Sequence, residues 1–174
     1  MIEETPKGKG VSIMVWAAFA GAGAKSDLII LDRDFESKKH GYSANSYIKV
    51  LEEAIPTVWE PEFTFMQDNA PIHKAKKTTK WFLDQGISLV KWPPYSPDMN
   101  PIEHIWFKLK KRVYEANPDI ENISSGEEKV REELGKALQA AWELIPQEFF
   151  DALWESMPRR IAAVIEAEGW QTKY

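Results

Sequence analysis

Between residues 11 and 106, short apolar runs typical of β-strands alternate with longer segments whose apolar residues recur at helical spacing. The strand-like runs cover residues 11–20, 27–33, 62–67 and 87–92, and the helical segments cover residues 43–54, 74–85 and the stretch after Pro101. The first two runs predict a hairpin, and the interleaving that follows favours an α/β fold with helices packed on a sheet. Residues 126–174 continue as an all-helical extension, in which Pro146 and Pro158 predict the ends of short helices.

The composition fits a single globular domain over residues 1–174, because 44% of its residues are hydrophobic and eight are Trp. The chain has no Cys, which excludes a disulfide framework and thiolate metal sites. It shows neither a membrane-length apolar run nor a signal-peptide pattern, so we expect an intracellular protein, nuclear or cytoplasmic, that is not secreted and has no membrane partner. A net charge of −5 argues against a stand-alone DNA-binding module but not against a nuclease core.

Two carboxylates stand at points that a sheet edge would bring together. Asp68 follows the predicted strand at residues 62–67, and Glu103 lies in the first turn of the helix after Pro101, with 34 residues between the two acids. Carboxylates from a strand end and a helix start suit a divalent-metal site for phosphoryl transfer. Each also has a simpler interpretation: Asp68 could cap the turn formed with Asn69, and Glu103 could simply interact with the helix dipole.

Four neighbouring residues are candidates for supporting this site: Asn69, His73, Asn100 and His104. Asn69 is better suited to fixing the turn after Asp68 than to binding metal, and Asn100 is a candidate N-cap of the next helix. His73 has two interpretations that the sequence leaves open. In one it contacts a substrate phosphate or orients a carboxylate, and in the other it is a structural His near a helix start.

Basic side chains follow both carboxylates. Four lie on the helix after Asp68 and four on the helix after Glu103: Lys74, Lys76, Lys77, Lys80, Lys108, Lys110, Lys111 and Arg112. Their position beside acidic ligands favours a rim that binds DNA phosphates. A solvated helix face is the alternative, which such charge runs usually indicate.

The two carboxylates are embedded in distinctive segments, DNAPIH at residues 68–73 and WPPYSPDMNPIEHIW at residues 92–106. These segments resemble the signature blocks of the Tc1/mariner transposases, a family with a DDE metal triad, and their spacing matches its Tc1 branch (DD34E). VSIMVWAAFAG at residues 11–21 and SMPRRIAAVIEAEG at residues 156–169 are similar to fungal-type members. The resemblance covers most of residues 8–174, and two such blocks at one spacing are a specific signal.

The resemblance implies an RNase H-like fold with a mixed sheet and helices on both faces. It also implies two Mg²⁺ or Mn²⁺ ions held by three carboxylates, DNA strand cleavage by metal-activated water, and strand transfer by a 3′-hydroxyl. Asp68 would be the second residue of the triad and would bridge both ions, and Glu103 would be the third residue. DNA as the substrate, a homodimer and the absence of a small-molecule cofactor are further implications.

The first Asp of that triad has no counterpart that we can place. In the family it lies on a central strand upstream of the strand at residues 11–20, whereas residues 1–10 are polar and predict a flexible lead-in. We therefore expect the sheet to lack its central strand, so that neighbouring strands pair directly, accept a partner's strand or rearrange. We also expect an incomplete metal site with cleavage abolished or nearly so, which makes enzymatic activity of this chain alone an open question.

Two other functions compete with that of a transposase catalytic domain. A non-catalytic module for DNA or protein interaction could retain the same fold, and the lack of a first Asp favours it. Another RNase H-like nuclease is the second alternative, although the segment PPYSPDMNPIEHIW supports it poorly. Intact Asp68 and Glu103 within their segments favour the enzyme.

Overall fold

The computed structural model describes the backbone of residues 2–4, together with residues 11–21, 23–38, 40–94, 96–120, 126–170 and 172. Within these ranges the chain forms the strands β1 (Ile2–Glu4), β2 (Met14–Trp16) and β3 (Ile29–Ile30). The helices are α1 (Ala44–Val58), α2 (Lys76–Asp84), α3 (Ile102–Ala116), α4 (Glu127–Glu143) and α5 (Gln147–Glu166). No helix in the described ranges is long and apolar enough to cross a membrane.

β2 is the middle strand of an antiparallel sheet in the order β1-β2-β3. Val15 lies opposite Ile30 and Trp16 lies opposite Ile29, which confirms the hairpin predicted from the first two apolar runs. Because Val and Ile are β-branched and Trp is aromatic, these pairs suit the crowded surface of a pleated sheet.

A separate parallel pairing joins the segments on either side of α2. Phe65 forms a bridge with Leu89, held by two hydrogen bonds of 2.8 and 2.9 Å. The strands predicted at residues 62–67 and 87–92 are therefore reduced to this single bridge. The described residues therefore contain both parallel and antiparallel pairings, but the parallel bridge stands apart from the antiparallel sheet.

β1 pairs with β2 from a segment that we did not expect to form a strand. The sequence predicts a flexible lead-in over residues 1–10, but Ile2–Glu4 pairs antiparallel with β2 and places Glu3 opposite Val15. Residues 5–10 lie outside the described ranges. The lead-in prediction is wrong for Ile2–Glu4, because unpaired backbone groups beside a buried strand favour any nearby segment that can bond to them.

Side chains alternate across β2 and divide the core into two clusters. Val15 belongs to a cluster shared with α3, α4 and α5, which includes Trp106 and Trp142. Trp16 belongs to a second cluster shared with α1 and α2, which includes Tyr47. Helices therefore cover both faces of the sheet, as the resemblance implies.

α3 and α5 differ in how well the sequence predicts them. α3 buries the apolar side chains that helical spacing indicates: Ile102, Ile105, Trp106, Leu109 and Val113. α5 runs unbroken through Pro158, so the prediction of two short helices around this residue is wrong. Packing of Phe150 and Leu153 in the core holds α5 in place despite the backbone N–H that Pro158 lacks.

We expect Leu134→Ala to lower the free energy of unfolding by about 2–5 kcal/mol, because this α4 side chain is fully buried and its removal leaves a cavity. Leu144→Ala is the matched control, since Leu144 directly follows the same helix but is 63% exposed. Its effect should stay within about 0.5 kcal/mol. Urea denaturation measures both values, and equal losses in the two variants would contradict the described core.

Candidate active site

Asp68 lies in a tight turn soon after the parallel bridge at Phe65. Its Oδ1 accepts a 2.9 Å hydrogen bond from the N–H of Ala70, and the carbonyl of Ala70 accepts the N–H groups of His73 and Lys74. The turn interpretation of Asp68 is therefore confirmed, and it is compatible with a role in a site because only one carboxylate oxygen bonds to the turn. The same turn brings His73 next to the carboxylate.

His73 is buried behind Asp68 and contacts it through a ring nitrogen. The Nδ1 atom of His73 lies 2.5 Å from Asp68 Oδ1, and its ring packs on Tyr47 with 4.5 Å between the ring centroids. The Tyr47 hydroxyl donates a 2.6 Å hydrogen bond to Oε1 of Gln67. These contacts run from α1 through the buried ring to the carboxylate, so the position of Asp68 depends on how α1 packs.

The neighbours of His73 determine where its proton lies. Because the carboxylate of Asp68 can only accept, Nδ1 carries the proton and donates it. Nε2 is buried and has no hydrogen-bond partner among the described residues. A substrate phosphate has no access to this nitrogen, so the geometry favours an orienting role for His73 over a phosphate contact.

Hydrogen bonding lowers the pH down to which the Asp68 carboxyl stays ionised. The bond from His73 lowers the pKa of Asp68 below its usual value, partial burial opposes this shift, and the N–H of Ala70 adds to it. Burial raises the pKa of the Tyr47 hydroxyl above its usual value, so this group stays a neutral donor. Oδ2 of Asp68 accepts no hydrogen bond from the described residues, and the side chain is 38% exposed. The protein thus holds one oxygen and leaves the other open to a ligand.

Glu103 lies in the first turn of α3 and is half-buried, in a position where an acidic side chain interacts favourably with the helix dipole. The N-cap of α3 is Pro101, so the predicted N-cap at Asn100 is displaced by one residue. The Asn100 side chain still acts on the helix start, because its Oδ1 accepts the N–H of Ile102 at 3.3 Å.

Within the described part of the chain, no group of three or more His, Asp and Glu side chains is placed to hold a metal ion. Asp68 is fixed by the turn and by His73, and Glu103 is carried on a helix start.

Asn69 and His104 are the remaining two candidates for supporting the site. The Asn69 side chain donates a 2.9 Å hydrogen bond to the carbonyl of Trp92, which ties the Asp68 turn to the segment before the proline-rich turn. This contact agrees with the predicted role of Asn69 in fixing the turn. His104 is largely exposed on α3, but desolvation of the part of the ring that is covered, together with the charge of Arg160, lowers its pKa.

The basic residues of α2 and its approach are partly engaged within the protein. Lys80 forms an ion pair with Asp84 at 2.7 Å, and Lys77 donates a hydrogen bond to Oδ1 of Asn45 at the start of α1. Lys74 and Lys76 are exposed and lie directly after the Asp68 turn.

The basic residues of α3 are engaged to a greater extent. Lys108 is half-buried with its Nζ 3.9 Å from the ring centroid of Phe149, a cation–π contact with α5. Lys111 lies 3.7 Å from Glu115, one helical turn further on, and Arg112 is half-buried. The α2 cluster is therefore more accessible to a polyanion than the α3 cluster.

Sequence patterns do not single out Tyr47 or Gln67, although both lie behind the candidate site. Tyr47 follows the apolar spacing of α1 and reads as an ordinary core residue, and its hydroxyl meets Gln67 only through the tertiary fold. A Gln at the end of an apolar run, directly before Asp68, is a signal that could have indicated a buried hydrogen-bond partner.

Comparison with known proteins identifies the family. The profile of the DDE superfamily endonucleases matches residues 30–125, a range that contains Asp68 and Glu103. The Tcb1 transposase of Caenorhabditis briggsae is 33% identical over 181 residues, covering 98% of this chain and 57% of that protein. The chain belongs to the Tc1/mariner transposases of the DDE superfamily. The Tcb2 transposase of the same organism is 34% identical over 179 residues, covering 98% of this chain and 58% of that protein.

This transposase-family chain spans about half the length of the curated relatives it matches. Among solved structures, the Mos1 transposase catalytic domain with raltegravir and Mg aligns with a TM-score of 0.66 at 16% identity, covering 99% of this chain and 83% of that chain. The crystal structure of the Mos1 mariner catalytic domain aligns at 0.63 with 15% identity, covering 99% and 82%. At this identity the likeness establishes the fold, and it confirms the RNase H-like architecture.

Replacing His73 should raise the pKa of Asp68. His73→Phe keeps a buried ring but removes the Nδ1–H donor, while the partial burial that opposes ionisation remains. A depressed folded-state pKa stabilises the protein above the unfolded-state pKa, and this stability is lost as the pH falls through the folded-state value. NMR titration of the Asp68 side-chain carbon measures the shift.

The control for this titration is His104→Phe, which changes an exposed His and should leave the pKa of Asp68 unchanged. The same Asp68 pKa in wild type and His73→Phe would show that the 2.5 Å contact does not hold the carboxylate in its ionised form.

Proposed function

We propose that this chain is the catalytic core of a transposase that cleaves and joins DNA strands with a divalent metal ion. The observation that carries the proposal is the state of Asp68, an ionised carboxylate with Oδ1 bonded to His73 and Ala70 and with Oδ2 open to a ligand. Family membership supports it, because the profile that matches residues 30–125 is that of endonucleases.

The donor atoms of Asp68 and Glu103 fit a hard divalent cation such as Mg²⁺ or Mn²⁺. Mg²⁺ commonly binds through one or two carboxylates, keeps several waters and takes substrate phosphates as further ligands. The Mos1 catalytic domain has been solved with Mg and with Mn. We propose that Asp68 Oδ2 and Glu103 hold the metal here. When bound, it would supply an activated nucleophile and offset the charge that develops on the phosphate.

The residues behind Asp68 set how this carboxylate is presented. With two donors on Oδ1, both lone pairs of that oxygen are occupied, so Asp68 would offer only Oδ2 to a metal. His73 holds this orientation from the buried side, and the packing of its ring on Tyr47 limits its movement. Partners of this kind orient metal ligands and keep them ionised.

We assign the first contacts with the DNA backbone to the exposed lysines that follow Asp68. Lys74 and Lys76 are exposed, whereas Lys80 and Lys111 lie beside carboxylates of their own helices. Accessible cations next to an acidic site attract phosphates and offset the repulsion between DNA and the carboxylates. A homodimer that acts on DNA, as the resemblance implies, in the nucleus or the cytoplasm completes the proposal.

A non-catalytic module for DNA or protein interaction is the alternative function. It is favoured by the fact that the described residues contain no group of three His, Asp or Glu side chains placed to hold a metal. In that case the Asp68 turn and its His73 contact would serve only to stabilise the edge of the sheet.

Mn²⁺ binding, followed by electron paramagnetic resonance, tests the metal site directly. Asp68→Asn and Glu103→Gln keep the side-chain shapes, and each should weaken Mn²⁺ binding by at least about 10-fold. His73→Phe should weaken it by roughly 10-fold, because the carboxylate loses its orienting partner. Glu115→Gln, which changes an exposed acid on the same helix as Glu103, should have no effect. Identical binding by wild type and the carboxylate variants would overturn the metal site.

Strand cleavage separates the two candidate functions. A catalytic core predicts Mn²⁺-dependent nicking of supercoiled plasmid that falls roughly 100-fold or more in Asp68→Asn and Glu103→Gln, because metal stabilisation of the transition state amounts to several kcal/mol. Mn²⁺ binding without nicking above the level of these variants would favour the interaction module.

A further inference from the structure

The turn before α3 decides where Glu103 lies. The N–H of Asn100 donates to the carbonyl of Pro97 at 2.9 Å, but the N–H of Glu103 reaches the Asn100 carbonyl only at 3.3 Å. The N-cap residue Pro101 makes no side-chain bond to the helix end. A helix start leaves backbone N–H groups without intrahelical partners, so support from other parts of the fold helps to fix this turn.

That support comes from α5, through Arg160. This side chain is 3% exposed, and its Nη1 donates a 2.7 Å hydrogen bond to the carbonyl of Asp98, within the turn. Its Nε donates to Oγ of Ser156, one helical turn earlier, at 2.8 Å, and this hydroxyl donates to the carbonyl of Leu153 at 2.6 Å. A guanidinium is costly to bury unless its N–H groups are bonded, so these contacts hold the side chain in one orientation.

Thr172 contacts the same Asp98 from the segment beyond α5. Its N–H and its hydroxyl both donate to Asp98 Oδ2, at 3.1 and 3.0 Å. Asp98 is therefore bonded at its carbonyl by Arg160 and at its carboxylate by Thr172. We call these three residues the tail clasp.

We propose that Arg160 and Thr172 are positioning residues, which hold the turn before α3 through Asp98 and thereby set the position of Glu103. The inference rests on the proposed function, in which Glu103 is a metal ligand. It gives the C-terminal extension a role at the candidate active site in addition to its contribution to the core, because the helix that places Phe150 in the core also carries Arg160.

Amide hydrogen exchange, followed by NMR without metal, tests the clasp at the backbone. The reporters are the bonded N–H groups of Asn100, Ile102, Glu103 and His104. Arg160→Met keeps the apolar stem but removes the donors, and it should speed exchange at these amides by about 10-fold or more. Arg160→Lys keeps the charge with one donor group and should restore part of the protection.

Two further variants keep the test independent of any general loss of stability. Thr172→Val removes only a hydroxyl donor near the end of the chain, and it should speed exchange at the same amides by a few-fold. Arg159→Met changes the exposed neighbour of Arg160 and should match wild type. Unchanged exchange in Arg160→Met and Thr172→Val would overturn the proposal. An equal increase across α4 and the reporters would overturn it as well, because Arg160 would then support the fold in general.

A second readout links the clasp to the metal. The concentration of Mn²⁺ needed for half-maximal binding should rise about 10-fold in Arg160→Met, rise less in Arg160→Lys, and stay unchanged in Arg159→Met. If exchange at the reporters increases and Mn²⁺ binding by a Mn²⁺-binding wild type does not change, Glu103 is not set by the clasp and the inference fails. Wild-type protein that binds no Mn²⁺ would instead contradict the proposed function, and the exchange data would still decide whether the clasp holds the turn.

Discussion

The hydrogen bond between His73 Nδ1 and Asp68 Oδ1 connects the buried core to the exposed edge of the candidate site. A carboxylate at the end of a strand would normally rotate and titrate like one in water. Here a fully buried ring, packed on Tyr47, bonds to one of its oxygens and lowers its pKa. The packing of α1 against the sheet therefore limits movement at the site. A change in that packing would shift the Asp68 carboxylate through the contact between the rings of Tyr47 and His73.

The second carboxylate, Glu103, is positioned by a different part of the fold. β2 divides the core, so that α1 and α2 pack behind Asp68 on one face while α3, α4 and α5 pack on the other. Glu103 depends on the second face, because α3 is anchored by its buried stripe and its first turn is held through Asp98 by the C-terminal extension. The two acids thus rest on separate halves of the core, and both β2 and β3 contribute side chains to each half.

The sequence predicts those features that depend on neighbouring residues. The apolar stripe of α3, the hairpin, and the placement of Asp68 and Glu103 in a turn and a helix start follow from local spacing and turn chemistry. Pairings between distant segments do not follow in this way. β1 forms because β2 offers unpaired backbone groups, and the Tyr47–Gln67 bond joins residues twenty positions apart. α5 continues through Pro158 because other side chains of this helix are buried in the core. Each of these outcomes depends on the tertiary structure, which overrides the local preference.

The measurement that tests this account most directly is a crystal structure of the protein with Mn²⁺, located by its anomalous scattering. We predict a Mn²⁺ ion bound to Asp68 Oδ2 at about 2.1 Å, the distance typical of Mg²⁺–oxygen bonds, with Glu103 as a further ligand. His73 Nδ1 and the N–H of Ala70 should remain on Oδ1 as they are here. A metal ion on Oδ1 with His73 displaced, or Asp68 bridging two ions through both oxygens, would contradict the account.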